Sequence, residues 1–215
     1  GGDGDEKIGI VGRCFSQKRR AQRIAYDASQ VNMATGTGGS GRQAGSSFKT
    51  FTLVAAIEQG IDPSTMIDAS ATAKLPGWEV ANINHTNYGT KSIADAFAVS
   101  SNTAFARLIL SIGPDKVVDV AKRMGITSPL TATGSLTLGS ESVTPLEMAN
   151  AYATIANGGT HYDPECVERI VDRNGSIVVD NSAPKGVRAI SAEVAHAATE
   201  VMKGVITKGT GKAAA

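Results

Sequence analysis

A serine and a lysine separated by two residues, Ser46 and Lys49, stand at the start of a predicted helix. Residues three apart face the same side of a helix about one turn apart, so the Lys49 amine can lie beside the Ser46 hydroxyl. A serine becomes a good nucleophile when a base removes its proton, and a lysine can be that base where its pKa is lowered. The pair also fits a capping serine followed by a solvated lysine, and the motif alone does not decide between the two.

A second polar motif, Ser100-Ser101-Asn102, lies between two predicted helices about 50 residues later. The Ser100 hydroxyl could relay a proton to a leaving group, and the Asn102 amide could bind both a substrate amide and the lysine. Taken alone, this motif equally describes a polar turn between helices. Only the order and the context of the two motifs make them informative.

Helical spacing and capping residues predict the elements that carry these motifs. An N-terminal strand is expected over 7–11 and a hairpin with an Asn-Gly turn over 167–180. Turn-forming residues throughout 61–90 predict an irregular stretch with little regular structure. Thr144 and Glu147 form a capping box at the start of the clearest helix. The predicted helices span 46–59, 91–98, 103–111, 114–124, 145–156 and 192–206.

The composition is that of an ordinary globular domain of 215 residues, with 41% hydrophobic residues, 19% charged residues and a net charge of +1. The one basic run, Lys18–Arg20 with Arg23, fits a solvated helix face, so no nucleic-acid partner is predicted. No apolar run of about 18 residues is present, so no membrane-spanning helix is predicted, and no signal peptide is visible. Cys14 and Cys166 form neither a zinc pattern nor a redox pair, and nothing favours a disulfide between them.

Two further patterns are weak. Gly36-x-Gly38-x-x-Gly41 fits a dinucleotide fingerprint, but no convincing strand precedes it, and we interpret it as loop glycines. The three histidines lack the spacing of metal ligands, and neither a metal nor a cofactor is predicted. They are His85, His161 and His196.

Taken together, the ordered motifs resemble the transpeptidase domain of class A, bifunctional penicillin-binding proteins, whose signature includes Ser-x-x-Lys, Ser-x-Asn and Lys-Thr-Gly. The resemblance covers about residues 31–215. The sequence contains no Lys-Thr-Gly, since Lys208-Gly209-Thr210 has a different order and lies at a predicted helix end. The segment from Lys7 to Phe15 matches the family only loosely. The matching segments are 32–35, 42–51, 76–78, 94–104, 138–159 and 207–211.

The resemblance implies an α/β fold of the β-lactamase and transpeptidase type, with an antiparallel sheet flanked by helices and a helical subdomain that carries the Ser-x-Asn motif. Residues 1–215 are expected to form a partial domain without its C-terminal strands, and about 60–165 to include the mainly helical subdomain. Because the third motif is absent, this chain is expected to be inactive or impaired on its own.

The activity that the resemblance implies is a D,D-transpeptidase that cross-links peptidoglycan stem peptides through a serine acyl-enzyme and is the target of β-lactam antibiotics. Ser46, Lys49 and Ser100 would be catalytic, and Asn102 would bind substrate. The location implied is the extracytoplasmic face of the bacterial cell membrane, with a membrane anchor expected only in the parent protein.

Two alternatives stay open. One is a β-lactamase-like hydrolase, although those enzymes of class A carry Ser-Asp-Asn and Glu-x-x-Leu-Asn, and this chain has Ser101 and Glu147-Met148-Ala149-Asn150 instead. The other is a non-catalytic module that binds β-lactams. Turnover of a chromogenic β-lactam would separate the hydrolase from the transpeptidase.

Overall fold

The computed structural model describes residues 32–37 and 41–214. Within those residues the chain alternates between helices and short strands. The helices are α1 (Lys49–Glu58), α2 (Ile93–Ala98), α3 (Asn102–Ile112), α4 (Pro114–Arg123), α5 (Pro145–Ala156) and α6 (Ala192–Thr207). The strands are β1 (Arg42–Gln43), β2 (Met66–Asp68), β3 (Thr72–Leu75), β4 (Trp78–Ala81), β5 (Thr90–Ser92), β6 (Ser142–Val143), β7 (Thr160–His161), β8 (Arg169–Val171), β9 (Ile177–Asp180) and β10 (Val187–Arg188).

Helix α1 is the centre of the main hydrophobic core. Its residues from Lys49 to Ala56 are all buried. A helix buried over most of its length must be covered by its neighbours, and α3, α4 and α6 pack against α1. The helix that follows Ser46 is therefore packed on several sides within the described chain, and a rigid element of this kind suits a precisely positioned side chain.

The predicted helices are confirmed, because local signals at their ends determine them. At α5 the Thr144 hydroxyl accepts from the Glu147 N–H, and the Glu147 carboxylate accepts from the Thr144 N–H, which completes the capping box. At α6 the Ser191 hydroxyl accepts from the Val194 N–H. The one difference at the first helix is that residues Gly45–Phe48 form a 3-10 turn before α1 begins.

The prediction of an irregular stretch over 61–90 is wrong. Strands β3 and β4 form a hairpin whose tight turn contains Pro76 and Gly77, and Gly77 has a φ of +80°. Strand β2 pairs with β5. The turn-forming residues do mark turns, but they also leave strands of three or four residues between them, too short to show a clear alternation of polar and apolar side chains.

All strand pairs of the described residues are antiparallel, as predicted, although each sheet there contains two strands. The predicted hairpin over 167–180 is present as β8 and β9, and Gly175 of its turn has a φ of +83°. The expected strand over 7–11, the basic run, Cys14 and Gly38 lie outside the described residues. Cys166 is exposed.

Among residues 32–37 and 41–214, no helix combines the length and the hydropathy that crossing a bilayer would require.

Candidate active site

The Ser46 hydroxyl and the Lys49 amine lie next to each other, as their spacing predicts. Ser46 is exposed in the 3-10 turn, whereas Lys49 begins α1 and is 1% exposed, and Lys49 Nζ is 3.0 Å from Ser46 Oγ. The turn is held by a close backbone approach, in which the Gly45 N–H donates to the Gly139 carbonyl over 3.4 Å. A Cβ on Gly139 would lie 2.1 Å from the Gly45 nitrogen, so glycine is required at position 139.

Ser100 meets Lys49 because of the way that α2 ends. The Ser101 N–H donates to the Ala96 carbonyl and the Ser100 N–H to the Phe97 carbonyl, both over 2.9 Å, which is the bonding pattern of a Schellman C-terminus. That motif places its C′ residue in the left-handed region, where glycine is usual, and Ser100 occupies it with a φ of +57°. In this conformation both the carbonyl and the hydroxyl of Ser100 reach Lys49 Nζ, at 2.8 and 3.0 Å.

Asn102 completes the contacts of the lysine. Its Oδ1 accepts from Lys49 Nζ over 2.8 Å, and its Nδ2 donates to the Ala81 carbonyl over 3.0 Å. The second bond fixes which end of the amide faces the lysine, because only an N–H can donate to that carbonyl. All four residues singled out from the sequence therefore meet at one amine.

The four oxygens around Lys49 Nζ differ in what they can do. The Ser100 carbonyl and Asn102 Oδ1 can only accept, and each takes one N–H of the amine. The hydroxyls of Ser46 and Ser100 can accept the third N–H of an ammonium or donate to the lone pair of a neutral amine. Burial lowers the pKa of Lys49 from 10.5 to about 8, which brings the neutral form within reach near physiological pH.

Sequence reasoning missed Tyr152 of α5. Its hydroxyl donates to the Ser47 carbonyl over 2.9 Å and pairs with the Thr50 hydroxyl over 2.8 Å. Burial raises the pKa of Tyr152, so the phenol stays neutral and can donate. It thereby ties α5 to the turn that carries Ser46. No local signal marks this role, since its partners lie about 100 residues earlier in the chain.

Sequence reasoning also treated Asn82 as a turn former only. The residue follows β4, is 3% exposed, and its Oδ1 accepts from the Asn102 N–H over 2.8 Å. It therefore contacts the second motif directly, from about 20 residues upstream.

A cavity of about 400 Å³ opens beside Ser46. Its lining includes Ser46, Lys49 and Ser100 together with apolar side chains of α2 and α6, and no aspartate or glutamate belongs to it among the described residues. The remaining lining residues are Ser47, Thr50, Phe97, Tyr152, Met202, Val205, Ile206 and Thr210.

The end of α6 is fastened to the end of α2. Lys208 forms an ion pair with Asp95, and the Thr210 N–H donates to the Ala98 carbonyl over 3.1 Å. Residues 208–210 follow a helix end, as the sequence predicts, and Thr210 reaches the cavity rim.

Two of the weaker sequence patterns fall partly within the described residues. Gly36 has a φ of +71°, which fits the interpretation as a loop glycine. His161 contacts the Thr154 hydroxyl at 3.2 Å and Asp163 at 3.4 Å. Within residues 32–37 and 41–214, no group of three or more His, Cys, Asp or Glu side chains is arranged to hold a metal ion.

Known proteins resemble this chain in sequence and in fold. Residues 14–215 match the family model for the penicillin binding protein transpeptidase domain. The chain is 35% identical to penicillin-binding protein 1A of Mycobacterium tuberculosis over 158 residues, which are 66% of this chain and 19% of that protein.

Two solved structures from the same organism have similar folds. One is the PonA1 protein in complex with penicillin V, with a TM-score of 0.72 and 34% identity, covering 77% of this chain and 48% of that chain. The other is penicillin-binding protein A as an imipenem acyl-enzyme complex, with a TM-score of 0.72 and 29% identity, covering 81% of this chain and 45% of that chain.

The fold and the Ser-Lys-Ser-Asn cluster thus define a penicillin-binding class of protein. The chain belongs to the penicillin-binding protein transpeptidase domain family. It spans about a fifth of the length of the curated relative described above.

Proposed function

We propose that this chain supplies the acyl-transfer site of a serine-type D-Ala-D-Ala transpeptidase that cross-links peptidoglycan stem peptides. The observation that carries the proposal is the Lys49 amine, which is buried, has a lowered pKa and lies 3.0 Å from both the Ser46 and the Ser100 hydroxyls. A neutral amine in this position can remove the proton of one hydroxyl and exchange protons with the other.

In the first half-reaction, Ser46 Oγ gives its proton to Lys49 and bonds to the carbonyl carbon of the penultimate D-Ala. The peptide bond to the last D-Ala breaks, and its nitrogen takes the proton that passes from Lys49 through Ser100 Oγ. Asn102 holds Lys49 and is the expected partner of the substrate amide. An ester between the stem peptide and Ser46 results, and D-Ala leaves as a free amino acid.

In the second half-reaction, the amine of a neighbouring stem peptide attacks the ester carbonyl. The new peptide bond forms, the ester bond breaks, and Ser46 Oγ recovers a proton that the attacking amine releases. A β-lactam enters the same path by opening its ring on Ser46. Its acyl-enzyme persists because the nitrogen released by ring opening stays tethered to the acyl group and does not leave the site free for an acceptor amine.

The cavity lining favours transfer over hydrolysis. A hydrolase of this kind needs a base that activates water, and no carboxylate lines the cavity among the described residues. Glu147 is the acidic residue of the stretch that was compared with the hydrolase motif. Its carboxylate caps α5 and accepts hydrogen bonds from Thr127 and Ser128. Burial would raise the pKa of Glu147, but those hydrogen bonds lower it to about 2, so it is a poor base.

The subdomain over about 60–165 and the extracytoplasmic location are further parts of this proposal. A small second core of Ala73, Val80 and Ala106, with Trp78 and Leu138 packed against it, supports a local unit in that range. The location follows from the substrate, because peptidoglycan stem peptides are cross-linked outside the cytoplasm.

The test is acylation by a fluorescent penicillin, followed by peptide mapping, in the full-length natural protein that carries this sequence. We expect the label on Ser46 and none in Ser46→Ala. The matched control is Ser47→Ala, since Ser47 is the exposed neighbour whose hydroxyl donates to the Ala44 carbonyl. Label on another residue, or undiminished labelling of Ser46→Ala, contradicts the proposal, and steady turnover of a chromogenic β-lactam would favour the hydrolase.

A further inference from the structure

The side chain of Asn82 makes an unusually complete set of hydrogen bonds for a buried amide. Its Oδ1 accepts from the Ser101 hydroxyl over 3.0 Å and from the N–H groups of Asn102 and Thr103 over 2.8 and 3.1 Å. Its Nδ2 lies 3.0–3.1 Å from three carbonyl oxygens. Those carbonyls belong to Ala69, Ser70 and Thr86.

We propose that Asn82 is a positioning residue that sets the Ser100–Asn102 turn against Lys49. The inference rests on the proposed function, because the geometry that Asn82 controls is that of the acyl-transfer site. Asn82 touches neither Ser46 nor Lys49 in the hydrogen bonds of the described chain, and it acts through Asn102.

Asn82 contributes to the hydrogen bonding of the N-terminus of α3. The first four N–H groups of a helix have no partner within it. Here the N–H groups of Asn102 and Thr103 donate to Asn82, and that of Ala104 donates to the capping hydroxyl of Ser101. The Ser101 hydroxyl in turn donates to Asn82. Asn82 therefore supplements the Ser101 N-cap with an acceptor from another part of the chain, and it holds the start of α3.

The side chain of Asn102 is held by the same segment as its backbone. Its Nδ2 donates to the carbonyl of Ala81, the residue just before Asn82. The dipeptide Ala81-Asn82 thus holds both the backbone N–H and the side-chain amide of Asn102, and it leaves Oδ1 as the end that faces Lys49. A shift of Asn82 therefore moves Asn102, and with it the contact between Asn102 Oδ1 and Lys49 Nζ.

Position 82 requires a side chain that both accepts and donates hydrogen bonds, which an amide does. An aspartate at position 82 keeps an oxygen for the donors on one side, but it turns its second oxygen toward three carbonyls. A leucine of similar size removes the acceptor of the Asn102 and Thr103 N–H groups, at a cost of about 1–3 kcal/mol each. Asparagine alone among residues of this length both accepts and donates.

The experiment measures acylation by a slow β-lactam in the full-length protein and resolves the acylation rate constant from the binding constant. We expect Asn82→Asp to lower the rate constant on the order of 10- to 100-fold, as a displaced contact at a reacting centre does. The binding constant and the fraction of protein finally labelled should stay near the wild-type values. The control is Asn87→Ala, since Asn87 is exposed in the same segment and accepts only from the Gly89 N–H.

A second comparison separates positioning from a general loss of stability. In an Asn102→Ala background, Asn82→Asp should lower the rate constant by less than about threefold further, because the two residues act through one contact. If Asn82→Asp does not fold, Ser101→Ala removes one donor to Asn82 and should show the same non-additivity with Asn102→Ala. Effects that multiply, or a smaller labelled fraction with an unchanged rate constant, overturn the inference. An unlabelled wild type would instead overturn the proposed function and this inference with it.

Discussion

Burial of Lys49 makes the stability of the folded chain depend on pH in an alkaline window. Because burial lowers the pKa of Lys49 from 10.5 to about 8, the unfolded chain binds one more proton than the folded chain between those values. Stability therefore rises with pH across this window, since it rises wherever the unfolded state holds more protons. Below pH 8 the folded chain carries the full cost of a buried ammonium.

The size of the effect follows from the two pKa values. At about 1.4 kcal/mol for each unit of pKa, the lowered value corresponds to about 3 kcal/mol in the free energy of unfolding. Lys49→Met keeps an unbranched side chain of similar length and removes the titrating group. Loss of the hydrogen bonds to the Ser100 carbonyl and Asn102 shifts the whole curve of this variant but gives it no matching pH dependence.

The assay is urea unfolding of the wild type and of Lys49→Met at several pH values from 7 to 10.5. We expect the wild type to gain about 3 kcal/mol relative to the variant, almost all of it between pH 8 and 10.5. Lys74→Met, which removes an exposed lysine, controls for the loss of one positive charge. Parallel curves for the wild type and Lys49→Met across this window would refute the reasoning.

Two further substitutions test the backbone around the site. Ser100→Gly and Ser100→Ala should slow acylation to the same extent, because both remove the hydroxyl. In thermal unfolding, Ser100→Gly should be more stable than Ser100→Ala by about 1 kcal/mol, because position 100 has a φ of +57°. Equal stability of the two variants would count against backbone strain at this position. Gly139→Ala should cost more than about 3 kcal/mol and abolish labelling, since its Cβ would collide with the Gly45 backbone. Gly175→Ala, at a φ of +83° with open space around it, should cost only about 1 kcal/mol, and a similar cost at both positions would contradict the collision.

The parts of the fold that the sequence predicts are those with local causes. Capping residues and helical spacing place the helices within a few residues, as the Thr144 and Glu147 capping box shows at α5. The pairing of β2 with β5 was missed because it joins residues more than 20 positions apart. Strands of three or four residues carry too little pattern to reveal such a pairing.

The same division holds for the site. Ser46 and Lys49 meet because of a spacing that is visible in the sequence, and the motif around Ser100 supplies the other three oxygens that contact the lysine, of which the sequence predicted that of Asn102. The roles of Asn82 and Tyr152 depend on partners that only the tertiary fold brings near. Neither residue belongs to a local motif, so both would be read from the sequence as ordinary turn or helix residues.

The most direct test of the account is the pH dependence of Ser46 acylation by a β-lactam in the wild type and in Lys49→Arg. If neutral Lys49 is the base, the wild-type rate constant should rise about tenfold per pH unit toward about pH 8 and then level off. Lys49→Arg keeps the charge but cannot lose its proton, so its rate constant should be lower by on the order of 10²-fold or more and should lack that rise. A wild-type rate constant that is flat from pH 6 to 9, or near-normal acylation of Lys49→Arg, would contradict the account.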